Sequence, residues 1–257
     1  MIWDCVMLRD ELDMLEMRLT EFQDVPGLMH VVAEADVDFQ GHPKPLWFGD
    51  HLERFAPWKD RILHIAATNL PDSDDPWVRE NAQRNACAAA LQQHGAAPDD
   101  VVLVGDVDEI PPTPLPPLGG AGWAMEVRHM TFAVDWENPV RQVCTSAVRW
   151  KQIRTFARMR ELKYWLPRID AGWHFSWLGG PAAITAKNEA CAHLEHKAKV
   201  AAGNAAGRLY EQGWCPWMGD GVQLAPVEVD ETWPRWIRER RCPPEWFRPR
   251  QKHGEAA

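Results

Sequence analysis

The chain has 257 residues, of which 46% are hydrophobic and 25% charged, and its net charge is −9. These values are typical of a soluble globular protein, and the negative charge argues against a nucleic-acid-binding protein, which needs a basic face for phosphates. Tryptophan is unusually frequent, with 15 Trp against 2 Tyr. This raises the expectation of sugar binding only slightly, because most tryptophans pack in cores.

The cysteine pattern and the hydropathy favour a cytoplasmic protein. The six cysteines are widely scattered and none has CxxC spacing, so a zinc knuckle or a dithiol redox site is not expected. No apolar run approaches the roughly 20 residues that span a bilayer. The first residues do not resemble a signal peptide, because charged residues follow a short apolar run at once. The oligomeric state stays open.

The first half of the chain alternates predicted strands and helices. Leu12, Leu15, Leu19 and Phe22 recur at helical spacing and predict a helix over residues 10–22. A second helix is predicted from Asp75, as N-cap, to about residue 93. Strands are predicted at residues 2–7, 28–33, 61–67 and 101–104. This order indicates an α/β fold with a mainly parallel central sheet flanked by helices.

The second half has a different pattern. Residues 111–122 contain five prolines and three glycines and form a loop or a linker. Strands at 123–134 and 142–153 suggest a more antiparallel region, followed by a glycine-bounded aromatic loop at 172–180 and a helix at 181–203. We expect one domain over 1–230, with a donor half at about 1–110 and an acceptor half at about 120–230. An Arg/Trp/Pro-rich tail occupies 231–257.

Three acidic residues, Asp106, Asp108 and Glu109, follow the strand predicted at residues 101–104. In open α/β sheets, ligands bind beyond the carboxyl ends of the strands. Aspartates two residues apart can converge on one cation where the chain turns, and hard divalent ions prefer oxygen ligands. A solvated acidic turn is the ordinary meaning of such a pair, but its position at a strand end favours a metal site.

Five segments carry a family resemblance. They are residues 10–19 (DELDMLEMRL), 34–46 (with Glu34-Ala35 and FQGHPKPL), 77–84 (WVRENAQR), 105–111 (GDVDEIP) and 171–180 (AGWHFSWLGG). In this order they resemble the family-17 glycosyltransferases, which are the β-1,4-mannosyl-glycoprotein 4-β-N-acetylglucosaminyltransferases and their bacterial and viral relatives. Five blocks in the same order are far more specific than any one of them.

The resemblance implies a GT-A fold, a UDP-sugar donor (UDP-GlcNAc in characterised members), dependence on Mn²⁺ (or Mg²⁺) and inversion at the anomeric carbon. It assigns Asp106 and Asp108 to the metal and the donor diphosphate. Because the chain lacks the membrane anchor and stem of the animal enzymes, a bacterial or phage member with a cytoplasmic glycan-type or other hydroxyl acceptor is expected.

An inverting transfer also needs a carboxylate base. Asp170 is the first candidate and Asp135 the second, with Glu137 and Glu189 as competitors. Each of these, taken singly, is more commonly an ordinary surface carboxylate.

The aromatic block offers further candidates. His174 is a metal or phosphate ligand, or a histidine satisfied within the core. Trp173 and Trp177 stack on a sugar, or pack in the core. Arg84 and Lys187 are candidates for donor phosphate contact.

The remaining donor-site candidates are acidic. Glu34 and Glu109 belong to resembling blocks, and Glu109 can equally stabilise the turn. Glu11 and Arg18 of the first helix are a possible buried polar pair that organises the donor site.

Two other functions use the same features. A nucleotidyltransferase or phosphohydrolase would use the same carboxylates, although two-metal chemistry needs a larger carboxylate cluster. A non-catalytic carbohydrate-binding protein would use the tryptophans alone.

Overall fold

A computed structural model describes residues 1–193, 195, 205–216 and 221–249. The strands of this part are β1 (Ile2–Leu8), β2 (Leu28–Ala35), β3 (Ile62–Ala67), β4 (Val101–Val104), β5 (Glu109–Ile110), β6 (Trp123–Thr131), β7 (Trp136–Arg149), β8 (Arg168–Ser176), β9 (Trp214–Cys215), β10 (Val222–Gln223) and β11 (Ala225–Pro226).

The α-helices of the same part are α1 (Leu12–Glu21), α2 (Trp47–Asp50), α3 (Pro76–Gln93), α4 (Phe156–Leu162), α5 (Gly180–Ala190), α6 (Ala205–Gln212) and α7 (Arg235–Arg238). Short 3-10 helices lie at Leu52–Arg61, Trp150–Gln152, Lys163–Trp165 and Pro244–Trp246. None of the described helices is both long enough and apolar enough to cross a bilayer.

Within the described residues, nine strands form one mixed sheet in the order β3-β2-β1-β4-β7-β6-β8-β5, with β11 beside β7. The four strands β3, β2, β1 and β4 are mutually parallel, as predicted for the first half. The expectation of a mainly parallel sheet is nevertheless wrong. β7 is antiparallel to β4, β6 and β11, and β5 is antiparallel to β8. A four-residue connection joins β6 to β7, and so short a link permits only antiparallel neighbours.

Helices cover both faces of the parallel half. In β1, Trp3 and Cys5 face one core cluster, which they share with α3. Val6 and Leu8 point the opposite way, into the cluster formed with α1. Two buried faces explain why these strands are almost continuously apolar rather than alternating.

Residues 221–249 fold back onto the α1 face of the sheet. Trp233, Trp236 and Ile237 are buried in the same cluster as the apolar face of α1. The backbone N–H of Trp236 donates to Glu21 Oε1 at 3.2 Å, which joins α7 to the end of α1. The part of the predicted tail from 231 to 249 therefore packs against the sheet layers, while 250–257 lie outside the described residues.

Two predicted elements differ from the structure. The aromatic loop expected at 172–180 is largely the end of strand β8, because Gly172 sits within a strand rather than at its border. The helix expected at 181–203 ends at Ala190, where Cys191 takes an extended conformation. Residues 194 and 196–203 of that prediction lie outside the described residues. No sequence pattern predicts helix α4.

Candidate active site

A cavity of about 1010 Å³ opens at the carboxyl ends of the parallel strands. Leu8 and Arg9 line it from the end of β1, and Asp106 and Asp108 line it from the turn after β4. The strand order reverses direction between β1 and β4. The cavity thus lies at the topological switch point, where open α/β sheets bind their ligands.

The acidic turn is packed tightly against β7. A Cβ on Gly105 would lie 2.0 Å from Thr145 Oγ1, so only glycine fits at the entry to the turn. Thr145 Oγ1 donates to Glu109 Oε2 at 2.8 Å, and the backbone N–H of Asp106 donates to the same oxygen at 3.2 Å. Glu109, predicted as a donor-binding residue, therefore stabilises the turn by accepting hydrogen bonds inside it.

A buried ion pair holds the turn from the α1 side. Arg18 is fully buried, and its Nε donates to Asp4 Oδ2 at 2.8 Å. Its Nη1 donates to the backbone carbonyl of Asp106 at 3.3 Å and also to that of Glu109. Burial alone would raise the pKa of Asp4, but Arg18 lowers it well below the ordinary value. Arg18 is therefore paired with Asp4 and not, as expected, with Glu11.

Asp106 is held between two arginines. Its Oδ1 accepts from Arg84 Nη1 at 2.8 Å and its Oδ2 from Arg160 Nη2 at 2.7 Å. These charges outweigh burial and hold the pKa of Asp106 well below its ordinary value. The sequence predicts Arg84 in this site. It does not predict Arg160, because helix α4 has no recognisable sequence signal.

Asp108 faces Lys187 and His174 across the cavity. Lys187 Nζ lies 3.0 Å from Asp108 Oδ2, and His174 Nε2 lies 3.5 Å from Asp108 Oδ1. The pKa of the buried Asp108 is held well below its usual range, because Lys187 and His174 outweigh the effect of burial. Burial lowers the pKa of Lys187, but the Asp108 charge raises it above its ordinary value. The sequence-predicted trio of Asp108, His174 and Lys187 therefore meets in one place.

Two features orient the side chain of His174: a β-bulge in β8 and the side-chain amide of Gln142. Between Glu126 and Arg128 of β6 the pairing with β8 shifts by one residue, and Gly172 lies within this bulge with φ +82°. Downstream of the bulge, His174 Nδ1 donates to Gln142 Oε1 at 2.7 Å. In the neutral imidazole, Nε2 then carries a lone pair directed towards Asp108.

The ring of His129 lies flat against His174, with centroids 4.9 Å apart and an angle of 9° between the planes. Burial, together with the positive charge that His174 carries when protonated, lowers the pKa of His129 to about 3. His129 is thus neutral, and its ring packs against the His174 ring and restricts its position. Neither His129 nor Gln142 belongs to the acidic turn, and nothing in the sequence indicates their pairing with His174.

The donor atoms fit one divalent cation completed by its substrate. Asp108 Oδ1 lies 3.5 Å from His174 Nε2, so the two atoms could ligate the same ion when His174 is neutral. No group of three or more His, Cys, Asp or Glu residues capable of holding an ion occurs in the described part of the chain. Cations that bind through one or two side chains take their other ligands from water and substrate phosphates.

The charges around the turn are balanced before any ligand binds. Four carboxylates face four cations: Glu80, Asp106, Asp108 and Glu109 against Arg84, Arg160, Lys163 and Lys187. A diphosphate entering this cluster would bring negative charge that the protein alone does not neutralise. The balance therefore favours an anion that arrives together with a divalent cation.

Comparison with known proteins places this site in a family. The sequence profile of Glycosyltransferase family 17 matches residues 1–198, a range that includes the acidic turn, His174 and Lys187. The chain belongs to glycosyltransferase family 17. Similar curated proteins are the beta-1,4-mannosyl-glycoprotein 4-beta-N-acetylglucosaminyltransferases of Rattus norvegicus and Homo sapiens, each 26% identical over 229 residues. The match covers 70% of this chain and 41% of each relative, so the chain spans less than half of their length.

In this family-17 chain, the two carboxylates predicted to act as the base, Asp170 and Asp135, do not line the cavity. The Asp170 side chain is 75% exposed and forms an ion pair with Arg141 at the rim. Asp135 accepts from the backbone N–H and from Nε of Arg248, at 2.8 and 3.1 Å. Asp135 therefore anchors the C-terminal segment.

Glu34 and the two tryptophans predicted to stack on a sugar, Trp173 and Trp177, mostly contact other residues of the fold. Glu34 is fully buried, receives a hydrogen bond from the backbone N–H of Phe48 at 3.2 Å and lies 3.1 Å from His64 Nε2. Trp173 packs against the α1 cluster and does not line the cavity. Trp177 does line it, although the residue is mostly buried, with Lys187 Nζ 5.9 Å from its ring centroid.

Proposed function

We propose that this chain transfers a sugar, N-acetylglucosamine by analogy with the relatives' names, from a UDP-sugar to a hydroxyl of a glycan acceptor. The proposal includes a GT-A type donor half, dependence on Mn²⁺ or Mg²⁺, and inversion at the anomeric carbon. The observation that carries it is the facing pair of Asp108 Oδ1 and His174 Nε2 in the switch-point cavity.

In this proposal Asp108 and His174 would hold the divalent ion, which would supply Lewis-acid stabilisation of the donor diphosphate. Asp106 has a different role from the one predicted, because both of its oxygens already accept from Arg84 and Arg160. It orients these two arginines towards the donor rather than binding the ion.

The leaving group departs towards the cationic side of the cavity. Lys187 contributes positive charge 3.0 Å from Asp108, next to the position proposed for the diphosphate. As the bond from the anomeric carbon to the diphosphate oxygen breaks, negative charge grows on that oxygen. Arg84, Arg160 and Lys187 are fixed in advance to stabilise it.

The base must accept the proton of the acceptor hydroxyl as that oxygen bonds to the anomeric carbon. We propose Glu126, which lines the cavity and lies directly beside the predicted base Asp170 in the pairing of β6 with β8. Glu126→Gln should lower kcat by about 10²–10⁴-fold, the usual contribution of a general base. Asp170→Asn, whose side chain lies at the exposed rim, is the matched control and should retain activity.

The function is tested by adding UDP-GlcNAc and Mn²⁺ to the protein with a panel of glycans, and by following both free UDP and labelled glycan. Transfer of the sugar with stoichiometric UDP release supports the proposal. Cleavage of the diphosphate without transfer would instead support a phosphohydrolase.

Binding supplies a second readout that does not depend on knowing the acceptor. Calorimetry should show UDP-GlcNAc binding that needs Mn²⁺ and is lost with EDTA, in Asp108→Ala and in His174→Ala. Glycan binding that survives all three treatments, without any donor binding by the wild type, would favour a carbohydrate-binding protein.

A further inference from the structure

The turn between α4 and β8 carries two consecutive exposed aromatic residues, of which Tyr164 lines the cavity and Trp165 lies next to it in the chain, outside the lining. Tyr164 is 57% and Trp165 85% exposed, and Tyr164 contributes to the cavity lining. Trp165 is the most exposed tryptophan among the described residues. Single exposed apolar residues are ordinary, but two consecutive exposed aromatics, one of which lines a cavity, form a candidate contact surface.

The local sequence forces both rings outward. Lys163 begins the 3-10 turn Lys163–Trp165, and its side chain is buried within the charge cluster that contains Arg160 and Glu109. Leu162 and Leu166, on either side, pack against the α3 core cluster. With about three residues per turn, the side chains of Tyr164 and Trp165 are left pointing away from the protein. The surface is therefore anchored on both sides.

The turn connects two elements of the candidate active site. The helix before it carries Arg160, which holds Asp106, and the strand after it carries His174. Tyr164 lines the same cavity as Asp108, His174 and Glu126, so a molecule resting on its ring would occupy that cavity.

Charged side chains border this aromatic surface. Arg168 Nη1 lies 3.0 Å from Glu126 Oε1, and Arg158 pairs with Glu161. Glu126, Glu161 and Arg168 line the cavity together with Tyr164, and so charged a surrounding does not suit an apolar protein surface or a lipid. It suits a pyranose ring, whose C–H face packs on an aromatic ring while its hydroxyls reach polar neighbours.

We infer that Tyr164 and Trp165 form the acceptor subsite of this enzyme, on which the acceptor sugar stacks with its reacting hydroxyl turned towards Glu126. The inference rests on the proposed function and names the part of the site that recognises the acceptor. It assigns no part in donor binding to the two aromatics.

The test separates acceptor binding from donor binding. Saturation-transfer NMR measures binding of β-1,4-mannotriose and of chitotriose to the wild type, Trp165→Ala, Tyr164→Ala and Trp165→Phe. Calorimetry measures UDP-GlcNAc with Mn²⁺ for the same proteins. We expect one of the oligosaccharides to bind the wild type, and each alanine variant to bind it at least about tenfold more weakly. Trp165→Phe should restore most of the affinity, and donor affinity should stay unchanged throughout.

Trp214→Ala is the control, since Trp214 is also partly exposed but lies in the separate β9–β10 sheet, and neither of its neighbours in the chain lines the cavity. The inference is overturned if Trp165→Ala and Tyr164→Ala bind the oligosaccharide as well as the wild type, or if neither oligosaccharide binds the wild type. Absence of UDP-GlcNAc binding to the wild type would instead contradict the proposed function. Failure of the inference and failure of the proposed function therefore give different results.

Discussion

Gln142 decides which nitrogen of His174 faces the cavity. Its Oε1 accepts the Nδ1 hydrogen at 2.7 Å, which leaves the Nε2 lone pair towards Asp108. Partners of this kind orient metal-binding histidines and typically change metal affinity by about 10–100-fold when removed. Gln142→Ala should therefore weaken Mn²⁺ binding in the presence of UDP by about 10–100-fold.

The matched variant is Gln142→Glu, whose carboxylate accepts the same hydrogen and should keep the affinity. Free Mn²⁺ is measured by electron paramagnetic resonance during titration, so no acceptor or turnover is needed. Wild-type affinity in Gln142→Ala would show that the amide does not orient the histidine for a metal.

The Asp4–Arg18 pair should make stability depend on acid pH. Because the folded pKa of Asp4 is lowered, the pair contributes its full stability above the ordinary aspartate pKa of about 3.9. This contribution is lost as pH falls towards the lower folded value. Asp4→Asn should cost about 3–5 kcal/mol at neutral pH, since it leaves Arg18 buried without its partner.

The difference between wild type and Asp4→Asn should shrink as pH falls below about 5, because the unfolded wild type binds a proton at Asp4 that the folded protein does not. Urea unfolding at several pH values measures this difference in the free energy of unfolding. Asp24→Asn, at an exposed position, should stay within about 0.5 kcal/mol of wild type. A gap that stays constant with pH would contradict the assigned ion pair.

At the scale of the elements, the bulge in β8 is what brings His174 to the cavity. Gly172 has φ +82°, and a Cβ there would lie 2.7 Å from the carbonyl oxygen of Ile110. Gly172→Ala should therefore destabilise the fold by more than the about 1–2 kcal/mol of left-handed backbone strain. It should also weaken Mn²⁺-dependent donor binding, because β5 and the acidic turn must move.

Gly27 offers a matched control, with φ +69° and no atom within 4 Å of the position that a Cβ would take. Gly27→Ala should cost only the backbone strain of about 1–2 kcal/mol and leave donor binding intact. Urea unfolding and calorimetry provide the two measurements. Equal effects of the two substitutions on donor binding would refute a special role for the bulge.

The elements that sequence predicts well are those with local signals. Helix α3 begins at Pro76 after the Asp75 cap, as the cap and the proline predict, and ends at Gln93. Strand β8 escapes prediction because its bulge glycine resembles a loop border. Helix α4 is seven residues long and lacks a clear apolar period, so its arginine, Arg160, cannot be placed from sequence.

In the candidate active site too, residues with local sequence signals are predictable and contacts between distant parts of the chain are not. Asp106 and Asp108 are predictable because they follow a buried strand directly, and a strand end at the switch point is where ligands bind. The partners of these carboxylates come from α3, α4, β8 and α5, which are far apart in sequence. Pairings such as His174 with Gln142 arise from the mixed sheet, whose order local patterns do not contain.

Across the whole molecule, the first half supplies the acidic turn and the second half supplies most of the groups that complete it. The antiparallel addition of β7 to β4 brings Thr145 against Gly105. Strand β8 and helix α5 then add His174 and Lys187 from the opposite side. Within the described residues, the two halves of the chain therefore share one continuous sheet.

The C-terminal segment belongs to this unit as well, although the family match ends at residue 198. Trp233, Trp236 and Ile237 are each at most 2% exposed and cover the apolar face of α1. A chain ending at Asp230 would leave that face open to water, and loss of one buried tryptophan alone costs about 3–5 kcal/mol.

We therefore expect the truncated chain to unfold or aggregate, and Trp236→Ala to lose about 3–5 kcal/mol of stability in urea unfolding. Trp165→Ala is the matched comparison, because that ring is 85% exposed and its removal should change stability by no more than about 0.5 kcal/mol. Wild-type stability in the truncated chain would mean that α1 is buried without the segment. Since Arg18 of α1 holds the acidic turn, partial truncation should also weaken donor binding before the fold is lost.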